Sequence, residues 1–233
     1  MKRSTASMVI VALSLVASSG PPAGARFAER QVVGRVNGLG ACARGTAGDP
    51  CPSRMLFAIK VRLRDPRGDV VARTKTKSTG RFAFRAGPGS YSVAGVAVTG
   101  FMASEPVMVV VRPDQMEPDH ARLRFTATTG PGIAGQVTQS PTCGGPQREG
   151  QECSAPLENA HLRVEDDTGQ EVAAAVTGAD GYYAFELEPG TYTLIAEGFE
   201  NQLPSPPPSV EFTVTPGDTG PHWRPLDYDT GIR

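Results

Sequence analysis

Residues 181–194 read GYYAFELEPGTYTL, and residues 80–93, about a hundred positions earlier, read GRFAFRAGPGSYSV. Both stretches open on Gly, alternate their aromatic side chains, and then place Pro-Gly, a hydroxyl residue and Tyr at the same spacing. Alternation with a period of two puts Phe82 and Phe84, like Tyr183 and Phe185, on the buried face of a strand. Pro88-Gly89 and Pro189-Gly190 then reverse the chain, because Pro presets φ at the first central position of a type II turn and Gly tolerates positive φ at the second. Tyr91 and Val93, or Tyr192 and Leu194, continue the alternation on the returning strand. A chain that carries this hairpin twice is constrained to two similar all-β units.

The flanking segments repeat as well. Residues 31–36 (QVVGRV) answer to residues 132–137 (GIAGQV), and each is followed by a loop rich in Gly, Pro and Cys. Ile59, Val61 and Leu63 alternate as Leu162 and Val164 do, and both runs end in turns, Asp65-Pro66-Arg67-Gly68 and Asp166-Asp167-Thr168-Gly169. Later come Val107, Val109 and Val111, or Val210, Phe212 and Val214, and a last short strand with Leu123 and Phe125, or Leu226 and Tyr228. About seven short strands per copy, without a helix pattern, predict two tandem antiparallel two-sheet sandwiches.

The first loop holds Cys42 and Cys51, the second Cys143 and Cys153. Two cysteines nine or ten positions apart within one repeat of an exported chain read as a local disulfide, worth roughly 2 to 3 kcal/mol for so short a loop in the chain-entropy picture. Neither spacing suits a zinc site, so no metal and no cofactor are expected.

Lys2 and Arg3 precede a largely apolar run, residues 8–16, and the small-residue site Ala23-Gly24-Ala25. This is the pattern of a secretory leader with cleavage after Ala25. The run is too short to span a bilayer, which takes about 20 residues. The expected organisation is a leader over 1–25, a first sandwich over 26–129 and a second over 130–233, joined by the short Thr129-Gly130-Pro131-Gly132 linker that lets the two touch. A secreted location, outside the cell or at its envelope, follows.

The pattern Gly-x-Val, an Asp and Gly turn, Thr-x-x-Asp-Gly-Tyr-Tyr-x-Phe and Pro-Gly-Thr-Tyr-Thr-Leu resembles the carboxypeptidase regulatory-like domain of the transthyretin-like, or prealbumin-like, sandwich class. Both copies carry the resemblance, and the second is the closer match because the first has Ser78-Thr79-Gly80 where Asp-Gly is usual. The resemblance implies a fold and leaves the activity open.

Catalytic patterns reduce to turns and surface groups. His120, His161 and His222 have no ligand spacing. Asp-Thr-Gly occurs at residues 167–169, 218–220 and 229–231, in polar flanks that suit turns better than a buried aspartate dyad. Arg67-Gly68-Asp69 falls at a hairpin tip, where the turn itself wants the Gly. The expectation is a non-enzymatic binding or structural module, the alternative being a secreted hydrolase, or its accessory, with an unrecognised site.

Charge is the one feature with functional reach. Residues 26–129 carry 17 Lys and Arg against 8 Asp and Glu, a net of +9, whereas residues 130–233 carry 4 against 16, a net of −12. Arg62, Arg64, Arg73, Lys75, Arg81 and Arg85 lie on consecutive predicted strands and, alternating with Val61, Leu63, Phe82 and Phe84, point outward. Two uses stay open for this patch: binding an anionic envelope polysaccharide or another surface protein, or meeting the acidic half within or between chains. Nucleic acid is not expected, for want of aromatic stacking residues there. Where the two copies differ, Arg81 and Arg85 against Tyr182 and Glu186, a functional difference is expected.

Overall fold

The alternating stretches form strands in both repeats. The computed structural model describes residues 30–39, 54–114, 117–146, 148, 150–199 and 203–233. The predicted leader and the first cysteine pair, Cys42 and Cys51, lie outside the described residues.

The first nine strands are β1 (Arg30–Leu39), β2 (Arg54–Met55), β3 (Lys60–Arg64), β4 (Val70–Lys75), β5 (Arg81–Ala86), β6 (Gly89–Gly95), β7 (Phe101–Ala103), β8 (Val107–Val111) and β9 (Asp119–Ala127). They form one sheet of order β2-β1-β9-β7 with β5 also on β1, and a second of order β4-β3-β6-β8. The next nine are β10 (Gly132–Ser140), β11 (Ala155–Pro156), β12 (His161–Asp166), β13 (Glu171–Val176), β14 (Tyr182–Glu186), β15 (Gly190–Ala196), β16 (Val210–Val214), β17 (Pro221–Trp223) and β18 (Leu226–Asp229). Here β10 binds β11, β14, β17 and β18, facing a sheet of order β13-β12-β15-β16. Among the described residues no strand of the first set pairs with one of the second.

The protein is thus all-β, two sandwiches in tandem, with nine strands in each where about seven are predicted. The additional ones, β2, β7, β11 and β17, are only two or three residues long. Pairing is antiparallel except at one place in each sandwich: β1 runs parallel to β9, with Val36 opposite Leu123, and β10 runs parallel to β17 and β18.

The inward faces build the cores. Val61 and Leu63 of β3, Phe82 and Phe84 of β5, Val93 of β6 and Leu123 and Phe125 of β9 share one cluster. Leu162 and Val164, Tyr183 and Phe185, Leu194, Leu226 and Tyr228 are their counterparts in the other.

Each core is closed by a threonine latch. The Thr76 hydroxyl donates to the Leu56 carbonyl at 2.7 Å and accepts from the Ile59 N–H at 2.9 Å. Thr177 does the same with Leu157 at 2.6 Å and Ala160 at 2.9 Å. Both latches span a residue in left-handed backbone, Ala58 (φ 58°) and Asn159 (φ 61°). The hydroxyl supplies the bonds that this kinked segment cannot make to a neighbouring strand.

The Pro-Gly turns differ from the predicted type II geometry. Gly190 has no positive φ and Gly89, at 156°, is close to extended. Each Gly instead begins a strand and makes room for the Tyr two residues on, since a Cβ on Gly190 would lie 2.9 Å from the Tyr192 Oη. That hydroxyl bridges the turn, Tyr91 to the Gly87 carbonyl at 3.0 Å and Tyr192 to the Glu188 carbonyl at 2.9 Å. The Asp65 and Asp166 turns follow prediction. Each carboxylate accepts two backbone N–H bonds, all at 2.9 Å, with Gly68 and Gly169 in positive φ.

Cys143 and Cys153 form a disulfide with 5.1 Å between their Cα atoms, tying the loop after β10.

The two sandwiches meet directly. Tyr182 and Gln136, on the face of β14 and β10 opposite their core, both donate to the Phe57 carbonyl of the first sandwich, at 3.0 and 3.1 Å. Phe101 stands edge-on to Tyr182 and Trp223, with ring centroids 6.2 and 5.6 Å away. Tyr182 is only 1% exposed and packs with the core of the first sandwich. Burial pushes its hydroxyl pKa far above the usual tyrosine value, so it remains a donor at any working pH. The backbones also come close at Gly100, where a Cβ would lie 2.7 Å from that of Ala184. At the rim, Glu152 accepts from the Ser78 N–H and hydroxyl.

Candidate functional site

The outer face of the β5-β1-β9 sheet is the candidate site. Buried and exposed residues alternate strictly along β5, so Phe82 and Phe84 enter the core while Arg81, Ala83 and Arg85 face out. On β1 the antiparallel register sets Arg35 opposite Arg81, and the parallel register sets it opposite Arg122 of β9. Neighbouring strands lie about 4.8 Å apart, so three arginines stand in one row across three strands. The next row along is Ala83, Val33 and His120.

Lys75, at the end of β4, and Lys77 flank this row. Together they border a groove of about 1090 Å³ whose floor includes Val33, Gly34, Ala83 and Ala121. Gly34 is fixed by the sheet itself, since a Cβ there would lie 2.2 Å from the Ala121 carbonyl oxygen. Like charges directly opposite on a sheet are destabilising. Among the described residues neither Arg35, Arg81 nor Arg122 has an acidic partner to offset this. The arrangement suits a ligand that brings several negative charges to a flat surface.

The six basic residues predicted as one patch divide between the two sheets. Arg62, Arg64 and Arg73 lie on the outer face of β3 and β4, where Arg62 is directly opposite Arg73 and Arg64 donates to the Gly68 carbonyl at 2.7 Å. Arg81 and Arg85 face out from β5, in the other sheet. The division follows from topology: β4 and β5 are consecutive in the chain but cross from one sheet to the other, so their outer faces look in different directions. Lys75 alone joins the two groups, lining the groove beside Arg81. The contact between the sandwiches runs instead through Phe57, Gly100, Phe101, Gln136, Tyr182 and Trp223.

Two residues of the row, Arg35 and Arg122, are absent from the predicted patch. A signal for Arg122 is in the sequence, because it alternates with the inward Leu123; Arg35 needs the parallel β1-β9 pairing before its neighbours are known.

The second sandwich has the same face in a different chemistry. Gln136 occupies the place of Arg35, Tyr182 that of Arg81, and Trp223, opposite Ala134, that of His120, opposite Val33. That face is covered by the first sandwich; the basic one is not covered by the second.

The Asp-Thr-Gly triplets are turns. Asp166 takes the Thr168 hydroxyl and N–H beside the first triplet, and Asp229 takes the Gly231 N–H. Asp218 holds the Thr215 hydroxyl at 3.0 Å, the Thr215 N–H at 2.8 Å and the His222 ring at 3.1 Å. Here the hydroxyl and the imidazole both bond the one carboxylate, which makes a clamp on the β16-β17 connection.

Residues 151–221 match the carboxypeptidase regulatory-like domain. This carboxypeptidase regulatory-like segment runs from just before β11 to the start of β17 and includes the hairpin of residues 181–194. No curated protein matches the chain by sequence. By structure it is similar to the TIE protein of Bacillus anthracis, at 16% identity and a TM-score of 0.34, covering 86% of this chain and 34% of that one, so this chain spans about a third of its length. A shaft pilin, SpaA, of Lactobacillus rhamnosus GG is similar at 9% identity and a TM-score of 0.36, covering 87% of this chain and 98% of the pilin. The minor pilin GBS52 of Streptococcus agalactiae is similar at 9% and 0.32, with 86% and 96% covered.

Proposed function

We propose that this chain is an exported, non-catalytic binding and structural module working at the cell surface or outside the cell, with residues 26–129 and 130–233 as its two units. The ligand-binding surface is the basic outer face of the β5-β1-β9 sheet, and the ligand is an anionic partner, either an envelope polysaccharide or an acidic protein surface. The observation that carries this is the row Arg81, Arg35 and Arg122, three cations held side by side without an acidic partner among the described residues, at a cost to the fold. The residues that recur between the sandwiches have structural duties as core aromatics, latches and turns, which leaves the residues that differ for recognition.

The test is retention of the mature chain on immobilised anionic polysaccharide as a function of salt. Retention falls steeply between low and physiological ionic strength, because exposed charges are screened over about 8 Å at 0.15 M. Arg35→Glu with Arg122→Glu abolishes it, whereas Arg62→Glu with Arg73→Glu leaves it largely intact. Retention indifferent to salt and to both pairs of changes overturns the proposal.

A further inference from the structure

The contact between the two sandwiches is a template for a second contact. The first sandwich gives the Phe57 carbonyl, Gly100 and Phe101; the second receives them on Gln136, Tyr182 and Trp223. Most of these elements have a counterpart left unused, Phe101 having only Pro204 in its place. The receiving face of the first sandwich carries Arg35, Arg81 and His120 in the corresponding places, all exposed. At the giving end of the second sandwich, Glu158 occupies the place of Phe57, one residue past Leu157 of the latch as Phe57 is one past Leu56. Glu158 is exposed. Leu203 takes the place of Gly100, since Ser205 pairs with Asp229 as Met102 pairs with Thr126, and it is 59% exposed.

The chemistry of the two unused surfaces is complementary. Within the chain, two neutral donors, Gln136 and Tyr182, meet the carbonyl of an apolar residue. Between chains, two guanidinium groups would meet an acidic residue at the same point. The open groove beside His120, where the second sandwich has the larger Trp223, gives Leu203 an apolar floor of Val33 and Ala83. The overall imbalance, +9 on residues 26–129 and −12 on residues 130–233, has the same sense.

We infer that the anionic partner of the basic face is the second sandwich of another copy of this chain, docked through Glu158 onto Arg35 and Arg81 in the geometry of the contact within the chain. This rests on the binding role proposed above and names its partner. The interface is heterologous, one copy giving and the next receiving, so it repeats from copy to copy and builds head-to-tail assemblies larger than a dimer.

The test is sedimentation velocity of the mature full-length chain over a range of concentrations, at low and high salt. Dimers, trimers and longer species that grow with concentration and dissociate at high salt are expected. Arg35→Glu and Glu158→Arg, both at exposed positions and to be checked for folding by circular dichroism, are each expected to weaken association by about tenfold or more. Mixing the two variants restores assembly, because each reversed charge then meets its opposite on the other copy. A monomer at all concentrations, or assembly untouched by both changes, overturns the inference. A monomeric chain that still binds sulfated polysaccharide through Arg35 overturns the self-association alone; a chain that does neither overturns the binding role with it.

Discussion

The Tyr182 hydroxyl donates to the Phe57 carbonyl at 3.0 Å, so a side chain of the second sandwich satisfies a backbone group of the first. Its ring is buried between Phe101 and Trp223. Tyr182→Phe removes one hydrogen bond and costs about 1 kcal/mol, with Gln136 still bonded to the carbonyl. Tyr182→Ala also empties the site of the ring and costs about 3 to 5 kcal/mol. Denaturant unfolding of both variants checks this, and the alanine variant is expected to separate one cooperative transition into two.

Thr76 and Thr177 are each almost fully buried and each holds one carbonyl and one N–H. Replacement by Val keeps the shape and strands both backbone groups, at about 1 to 3 kcal/mol per site. Because the two latches sit in separate cores, the double variant is expected to lose the sum. Thermal unfolding of the two single variants and the double variant measures it.

Gly34 and Gly135 lie where β1 meets β9 and where β10 passes Arg224. A Cβ would come within 2.2 Å of the Ala121 oxygen at the first and 1.9 Å of the Arg224 oxygen at the second. Backbone cannot yield as a flexible side chain does, so either Ala substitution is expected to cost about 3 kcal/mol or to prevent folding. Gly68→Ala, at a turn with open space around it, carries only the penalty for positive φ, about 1 kcal/mol. Comparing soluble yield and denaturation midpoints of the three variants separates the two causes.

Asp218 ties acid stability to one turn. Burial alone would raise its pKa, but the Thr215 N–H, the His222 ring and the Thr215 hydroxyl outweigh this and hold the carboxyl below its usual value of 3.8. Asp229, held by the Arg233 side chain and the Gly231 N–H, falls to about 2. A folded pKa below the unfolded one gives stability that is present above about 3.8 and is lost as pH falls through the folded value. The melting temperature is therefore expected to vary little on these groups' account down to pH 4 and to drop between pH 3.8 and about 2. Asp218→Asn lowers stability at neutral pH and makes this acid limb shallower.

Most of the fold is legible in sequence because it is written in alternation and turn chemistry, both local. Phe82, Phe84, Tyr183 and Phe185 face inward as their period requires, and the Asp65 and Asp166 turns close on their own carboxylates. The parallel pairing of β1 with β9 is not legible, since it joins residues about ninety positions apart and leaves no local trace. Hence Arg35 and Arg122 are seen as neighbours only once the sheet is assembled. Tyr182 is the instructive case. Its difference from Arg81 marks a real difference between the copies, but alternation assigns it an outward face, and only the arrival of Phe57 and Phe101 turns that face into an interior. The predicted patch divides for a related reason: nothing between Lys75 and Arg81 announces that the chain is changing sheets.

The parallel pairing of β1 and β9 has a mechanical meaning. The chain enters the first sandwich along one strand and leaves it along the strand beside it, pointing the same way, and β10 with β17 and β18 repeats this in the second. Tension on the two ends of a sandwich pulls those neighbours past one another along their length. The eight register pairs from Val32 to Leu39 then bear the load together instead of opening one after another like a zip. A chain of such units transmits pull along its axis without first unravelling.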